Sequence, residues 1–336
     1  MNSTSIRNKL FVSMILGIVV FAGLLAYGDF TSVGSHVREF RWELMPLILA
    51  VTLGNYGLRF LKWQYYLKQI QVRGLSRIDS FLIYFSGLGM TVTPGKVGEW
   101  LKSHLLREVH GTPVARSTPI LLAERLTDSL GLLIIAGAGA IVFGRYLWVA
   151  GLVAGAAVVL IALSRHRRAS YGILRVLAKV PLVRRLEPHF EELYESTYVL
   201  LHPRTVVLMT ALSVISWFCE VMAFYLTLIG LGIDGSLDTL FKAAFILPIA
   251  TLVAAAVPTP GGLGTAEAII ASLSQELIDG LAKSPAVLGT LIVRIATLWF
   301  GVVLGLIAFA VLTRKLAREG RPLEPSTAEP VAVGES

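Results

Sequence analysis

Apolar positions along the chain fall into blocks too long for a soluble core and too continuous for alternating strands. Stretches at about 10–28, 44–63, 118–143, 146–163, 204–229 and 286–312 each approach the roughly 20 residues that a helix needs to cross a bilayer. Two further apolar segments, about 78–92 and 240–257, run instead into a Thr-Pro-Gly turn. Each turn leads into a mixed helical stretch. Residues 96–110 hold Lys96, Glu99, Lys102, His104, Arg107 and Glu108, and residues 265–279 hold Glu267, Gln275, Glu276 and Asp279. A helix of about 15 residues reaches only about 22 Å, short of a hydrocarbon core of about 30 Å. Both segments are therefore expected to be re-entrant helical hairpins, at about 78–110 and 240–279.

The hairpins are related to each other. Thr93-Pro94-Gly95-Lys96-Val97-Gly98 matches Thr259-Pro260-Gly261-Gly262-Leu263-Gly264 at four of six positions, 166 residues apart in a chain of 336. A glutamate comes after each motif (Glu99, Glu267), and an arginine enters the next span (Arg125, Arg294). The plain reading is a duplicated unit of span, span, hairpin and span. Inverted repeats with broken helices near the midplane are a recurring plan of secondary transporters. The expected fold is thus an all-α polytopic membrane protein with six full transmembrane helices and two re-entrant hairpins. The first repeat covers 1–145 and the second 146–313, with a basic cytoplasmic connector at 165–203 and a disordered tail at 314–336.

Composition agrees, because 55% apolar and 15% charged residues with a mean hydropathy of +0.71 exclude a water-soluble globule, which carries about 25% charged residues. The 30 Lys and Arg against 22 Asp and Glu leave a net charge of +8, which serves first as an orientation signal. Segments 62–77 and 165–204 and the tail from Arg314 to Arg321 are basic, whereas 230–239 and 279–285 are poor in Lys and Arg. By the positive-inside rule both termini are cytoplasmic, in the plasma (inner) membrane of a prokaryotic type of cell. The first hairpin then enters from the cytoplasm and the second from outside. The amino-terminal apolar run is long for a signal core of about 7–15 residues and is expected to be retained as a span. One cysteine, Cys219, permits no internal disulfide or cysteine-based metal cluster. The six histidines show no metal-ligand spacing, and no cofactor is called for. Nucleic acid is not an expected partner, since topology accounts for the charge.

Candidate chemistry sits at the turns and at charges within spans. In Thr93, Pro94, Gly95, Gly98 and in Pro258, Thr259, Pro260, Gly261, Gly262, Gly264, proline removes a donor and glycine permits positive φ. Such a turn leaves amide groups at the start of a half-helix, which can hold an anion; a bend for close packing is the other reading. Met90 and Val97 break any match of the first turn to a nucleotide-binding loop. Arg125 lies about 10 Å and Arg294 about 12 Å into its span, beyond easy snorkelling. Intramembrane charges are costly and should face the bundle interior. There Arg125 and Arg294 can pair with Glu99, Glu267, Glu124 or Asp128, or meet a phosphate together with Lys96 and Lys102. Arg59, Lys62, Trp63, Tyr65 and Tyr66 read as an interfacial anchor, with a headgroup contact by Arg59 as the alternative. Glu220 belongs either to the outer edge or to the cavity.

The pattern TPGKVGEWLKSHLLRE, the span start ERLTD, then PTPGGLGTAEA and the late RIATLW resemble the lysylphosphatidylglycerol synthase transmembrane region, also described as the flippase-like integral membrane family. The resemblance covers about residues 10–315 and includes the earlier LRFLKW. It implies a polytopic domain that moves lipids between leaflets. Its motif falls on Thr93 to Glu99, Glu124, Arg125, Asp128, Pro258 to Gly264, Glu267 and Arg294. About 24 residues come after the last apolar stretch, so a stand-alone member without the aminoacyl transferase domain is expected. The expected function is a lipid translocase, not an enzyme, acting on a lipid with an anionic phosphate headgroup: a phospholipid, a glycolipid or a polyprenyl-phosphate carrier. A proton or ion would be the coupling species, and homo-oligomers are left open. The alternatives are a membrane-embedded enzyme on lipid headgroups and a non-transporting partner of an envelope glycolipid pathway.

Overall fold

A computed structural model of the chain describes residues 3–93, 97–143, 151, 155, 190–257 and 259–321, and every regular element among them is helical. Helix α1 (Ser3–Tyr27) meets α2 (Phe30–Glu39) at a 93° bend. After a 3-10 turn at Trp42–Leu44 comes α3 (Met45–Gln69), then α4 (Arg77–Gly89), α5 (Val97–His110) and α6 (Val114–Phe143). The second half holds α7 (Phe190–Leu200), α8 (Pro203–Gly230), α9 (Leu237–Ala256), a 3-10 turn at Pro260–Gly262, and α10 (Thr265–Leu277). It ends in α11 (Lys283–Arg294), a π-helical turn (Ile295–Trp299) and α12 (Phe300–Arg318), which form one continuous rod. The apolar run at 146–163, most of the basic connector and the tail beyond Arg321 lie outside the described residues.

Among the described residues, four helical stretches are long and apolar enough to cross a membrane, namely Trp42–Gln69, Pro203–Gly230, Leu237–Ala256 and Lys283–Arg318; the bent pair α1–α2 makes five if it is one span. Helix α6 is also long, about 45 Å over its 30 residues, but Arg116, Glu124, Arg125 and Asp128 break its apolar run. Large apolar side chains such as Leu61, Ile134, Ile215, Val303 and Ile307 point outward, a surface suited to hydrocarbon.

Three elements differ from the sequence reading. The stretch 29–43, to which the sequence reading assigns no element, folds largely into α2, whose Val33 and the preceding Gly28 pack against Val287 of α11. The span expected at 44–63 continues as helix to Gln69. The charges near its expected end are satisfied inside the protein, so hydropathy stops before the helix does. The limbs of the second hairpin are also unequal: α9, at 20 residues, is long enough to cross, whereas α4, α5 and α10 have 13, 14 and 13.

Each Thr-Pro-Gly turn does join two packed helices, and the two pairs open at opposite ends of the bundle. The start of α4 is tied to the end of α12 by Lys315 Nζ to Asp79 at 2.6 Å, and Arg321 donates to the carbonyls of Glu108 and Val109 at the end of α5. At the other end of the α11–α12 rod, Lys242 near the start of α9 bonds Asp279 after α10 at 3.0 Å. That contact holds the exposed Asp279 carboxyl below its usual range. Between these ends the tips meet, since a Cβ on Gly261 would stand 3.0 Å from Cα of Val92.

Packing also exchanges partners between the halves. Helix α3 packs on α8, α12 packs on α4, and α6 packs on α9. Gly305 of α12 and Gly139 of α6, again 166 residues apart, sit at equivalent contacts. A Cβ at Gly305 would overlap the amide nitrogen of Gly89, and one at Gly139 would lie 2.8 Å from the carbonyl of Phe241. Backbone cannot yield at such close approach. Gly305→Ala is expected to cost about 3 kcal/mol or more, seen as a lowered melting temperature in detergent. Gly57→Ala, with open space around it, should leave that temperature unchanged.

Candidate functional site

Where the hairpin tips meet, the helices enclose a cavity of about 190 Å³. Its cationic lining comes from four different helices: Arg59 on α3, Lys102 on α5, Arg125 on α6 and Arg294 at the end of α11. Arg125 and Arg294 are each the twelfth residue of their helix, about 17 Å from its start. The carboxylates facing the same space are Glu124, Asp128 and Glu220. Thr91 and Thr259, Gly261 and Gly262 bring in the two turns.

Most of these charges are held by short bonds. Asp128 accepts from Lys62 Nζ at 2.6 Å and from Ser213 Oγ at 2.9 Å, and stands 3.4 Å from Arg59 Nη2. Lys62 also donates to Ser213 Oγ at 2.6 Å, so three helices share one buried polar knot. Close approach of α6 to α8 makes this reachable, because Gly131 leaves no side chain in front of Ser213. Lys102 bonds Glu124 Oε2 at 2.6 Å and lies over the rings of Trp63 and Tyr84, at 5.0 and 5.4 Å. Such faces attract a desolvated cation. Arg59 covers the ring of Trp217 at 5.2 Å.

At the second turn, Glu267 is fully buried, with one oxygen on Arg294 Nε at 2.6 Å and the other on the Gly264 amide at 2.7 Å. A single carboxylate thereby fixes the amino end of α10 and aims the guanidinium. The Gly264 amide is thus taken by Glu267 and is not offered to a ligand. Gly261, Gly262 and Gly264 all have positive φ, the conformation that requires glycine here. Arg294 immediately precedes the π-helical turn, a feature common at functional positions. The Thr297 carbonyl in that turn accepts the Tyr56 hydroxyl at 2.5 Å.

Some polar atoms at the cavity have no partner. Among the described residues, Trp217 Nε1 and Thr259 Oγ1 are buried without a hydrogen bond, and both residues line the space. A buried unmet donor costs about 1–3 kcal/mol, so a polar occupant would be favoured there.

Of the expected residues, Arg59, Lys102, Glu124, Arg125, Asp128, Arg294, Thr259, Gly261 and Gly262 line the cavity; Glu267 sits behind Arg294; Thr93 turns away and donates to the Met90 carbonyl at 2.6 Å. Gly264 heads α10 and Gly98 lies in α5. Pro94, Gly95, Lys96 and Pro258 lie outside the described residues, as do the side chains of Glu99 and Pro260. Reading Lys62, Trp63 and Tyr66 as an interfacial anchor is corrected, because all three are buried. Trp63 donates to Ser80 Oγ at 3.1 Å, and Tyr66 bonds Thr127 Oγ1 at 3.2 Å. Glu220 joins the cavity rather than the outer edge, and Trp217 is an addition to the site. A polar stripe could have found both: Asn55, Arg59, Lys62 and Tyr66 on α3 and Ser213, Trp217 and Glu220 on α8 recur at three to four residues, one face of a helix. Among the described residues no three His, Cys, Asp or Glu side chains could together hold a metal ion.

Fold and site define a multi-pass helical membrane protein built around a charged cavity at the junction of two helix–turn–helix units. The family model described as the lysylphosphatidylglycerol synthase TM region matches residues 14–305, and the chain belongs to that family. The match takes in both turns and every cavity residue. Comparison with curated proteins finds no match.

Proposed function

We propose that this protein is a lipid translocase that carries a lipid with an anionic phosphate headgroup between leaflets, with the headgroup in the cavity and the chains in the bilayer. The observation that carries this reading is the convergence of Arg59, Lys102, Arg125 and Arg294 from four helices on one cavity where, among the described residues, Trp217 Nε1 and Thr259 Oγ1 have no hydrogen bond. Guanidinium matches phosphate by paired hydrogen bonds. Size is compatible with a headgroup, since a cavity of about 190 Å³ has room for several waters. In this reading the molecule is two inverted repeats with re-entrant hairpins and six full crossings, both termini cytoplasmic, in a prokaryotic plasma membrane. It is a transporter and not an enzyme. Opposite opening of the two hairpins and the exchanged packing of α4 with α12 and α9 with α6 support the inversion.

Reconstitution into vesicles tests the function. Fluorescent phosphatidylglycerol or polyprenyl phosphate should become accessible to an external quencher faster than in protein-free vesicles. A phosphate-free glycosyl lipid should show no gain. Arg125→Gln should slow the phosphate lipids about tenfold or more, the loss of one charge-assisted bond of about 1.5–3 kcal/mol. Rates equal to those of empty vesicles for both phosphate lipids would overturn the proposal.

A further inference from the structure

Glu220 is the cavity carboxylate that the pairing leaves out. Asp128, Glu124 and Glu267 each hold a cation at 2.6 Å. Glu220 lines the same cavity and is only 9% exposed, yet it makes no hydrogen bond or ion pair among the described residues. The groups around it come from four neighbouring helices, α3, α4, α6 and α11, and Arg125 of α6 lines the same cavity. Arg59 on α3 and Arg294 on α11 draw its negative charge, and Asp128 on α6 opposes it; Tyr56 and Tyr84 are the nearby phenols, and Trp217 lies one turn away on its own helix. An anionic headgroup would seek the same two guanidinium groups, together with Arg125 on α6, because Lys62, Lys102 and one edge of Arg294 are already engaged.

We propose that Glu220 is a proton-binding site, ionised when the cavity is empty and protonated when a phosphate headgroup occupies it, so that lipid and proton travel together. This rests on the translocase reading. Two anions that draw on Arg59 and Arg294 in one small cavity raise each other's cost of ionisation, so one of them takes up a proton more readily. A phosphodiester is too strong an acid to take it, so with a phosphodiester lipid the carboxylate does. One proton from the water on the loading side adds to a Glu220 oxygen as the headgroup enters. It returns to water on the far side as the headgroup leaves and the carboxylate ionises again in the field of the two guanidinium groups. No bond other than O–H is made or broken.

Binding of dihexanoyl phosphatidylglycerol to the purified full chain, measured by calorimetry between about pH 6 and 9 in two buffers of different ionisation enthalpy, tests this. For the parent, the Kd should rise by up to about tenfold per pH unit as the empty-state carboxyl ionises, with about one proton taken up per lipid bound. Glu220→Gln should show neither the slope nor the uptake and should bind at alkaline pH as tightly as the parent does at acidic pH. Glu220→Asp should keep both. If Glu220→Gln does not fold, the parent's proton uptake still decides. A parent Kd independent of pH, a slope that survives in Glu220→Gln, or a folded Glu220→Gln that no longer binds would each overturn the inference. A parent that binds no phosphate lipid at any pH would instead sink the translocase reading beneath it.

Discussion

Arg294→Ala is expected to lower stability by about 3–5 kcal/mol and to abolish lipid movement. Glu267, with no exposed surface, would keep its bond to the Gly264 amide and lose the cation it pairs with. An uncompensated buried carboxylate is among the costliest single defects a fold can carry. A companion variant separates the two effects. Removing both partners, as Arg294→Ala with Glu267→Ala, deletes the stranded charge and should restore most of the melting temperature, less about 1 kcal/mol for the lost cap of α10. Lipid movement in vesicles should stay absent, because the cavity still lacks the Arg294 guanidinium. A double variant that moved lipid as well as the parent would reduce Arg294 to a structural pin.

The same pair shows how far the site is legible in the sequence. Arg125, Asp128 and Arg294 stand out because a charge far inside an apolar run has no cheap explanation. The two turns stand out because Pro and Gly at membrane depth leave backbone that must be buried or wetted. Lys62 and Glu220 are legible only as ambiguous, for opposite reasons. Lys62 falls where hydropathy ends the span at about residue 63, so its burial depends on α3 continuing to Gln69, and that continuation depends on Asp128 and Ser213 arriving from two other helices. Glu220 lies well within its apolar run, and nothing local says whether α8 turns it inward. Helix α2 escapes because ten residues of mixed polarity carry too little signal without the face of α11 against them. The exchanged contacts of Gly139 and Gly305 are hidden for a different reason: their spacing repeats the 166-residue offset, but two glycines among 31 mean little until backbone lies beside them.

Asp128→Ala is expected to be as damaging as Arg294→Ala, about 3–5 kcal/mol, since Lys62 is 2% exposed and would be left with Ser213 and the Glu124 carbonyl at 3.5 Å and no counter-charge in contact. The informative experiment is the repacked knot, Lys62→Met with Asp128→Leu and Ser213→Ala. A buried ion pair replaced by apolar groups of similar volume is often neutral or stabilising, so the triple variant should melt within about 1–2 kcal/mol of the parent. Its stability says little about function, because Asp128 also stands 3.4 Å from Arg59 Nη2. Without that oxygen Arg59 loses a fixed anchor and keeps the ring of Trp217 beneath it. A guanidinium that must be ordered anew each time a headgroup arrives binds more weakly, because ordering a long side chain costs about 0.5–1.5 kcal/mol. Lipid movement in vesicles should therefore fall several-fold in a protein as stable as its parent. If the triple variant instead moved lipid at the parental rate, the Lys62–Asp128–Ser213 knot would serve only to hold α3, α6 and α8 together, and Arg59 would need no fixed anchor to meet a headgroup.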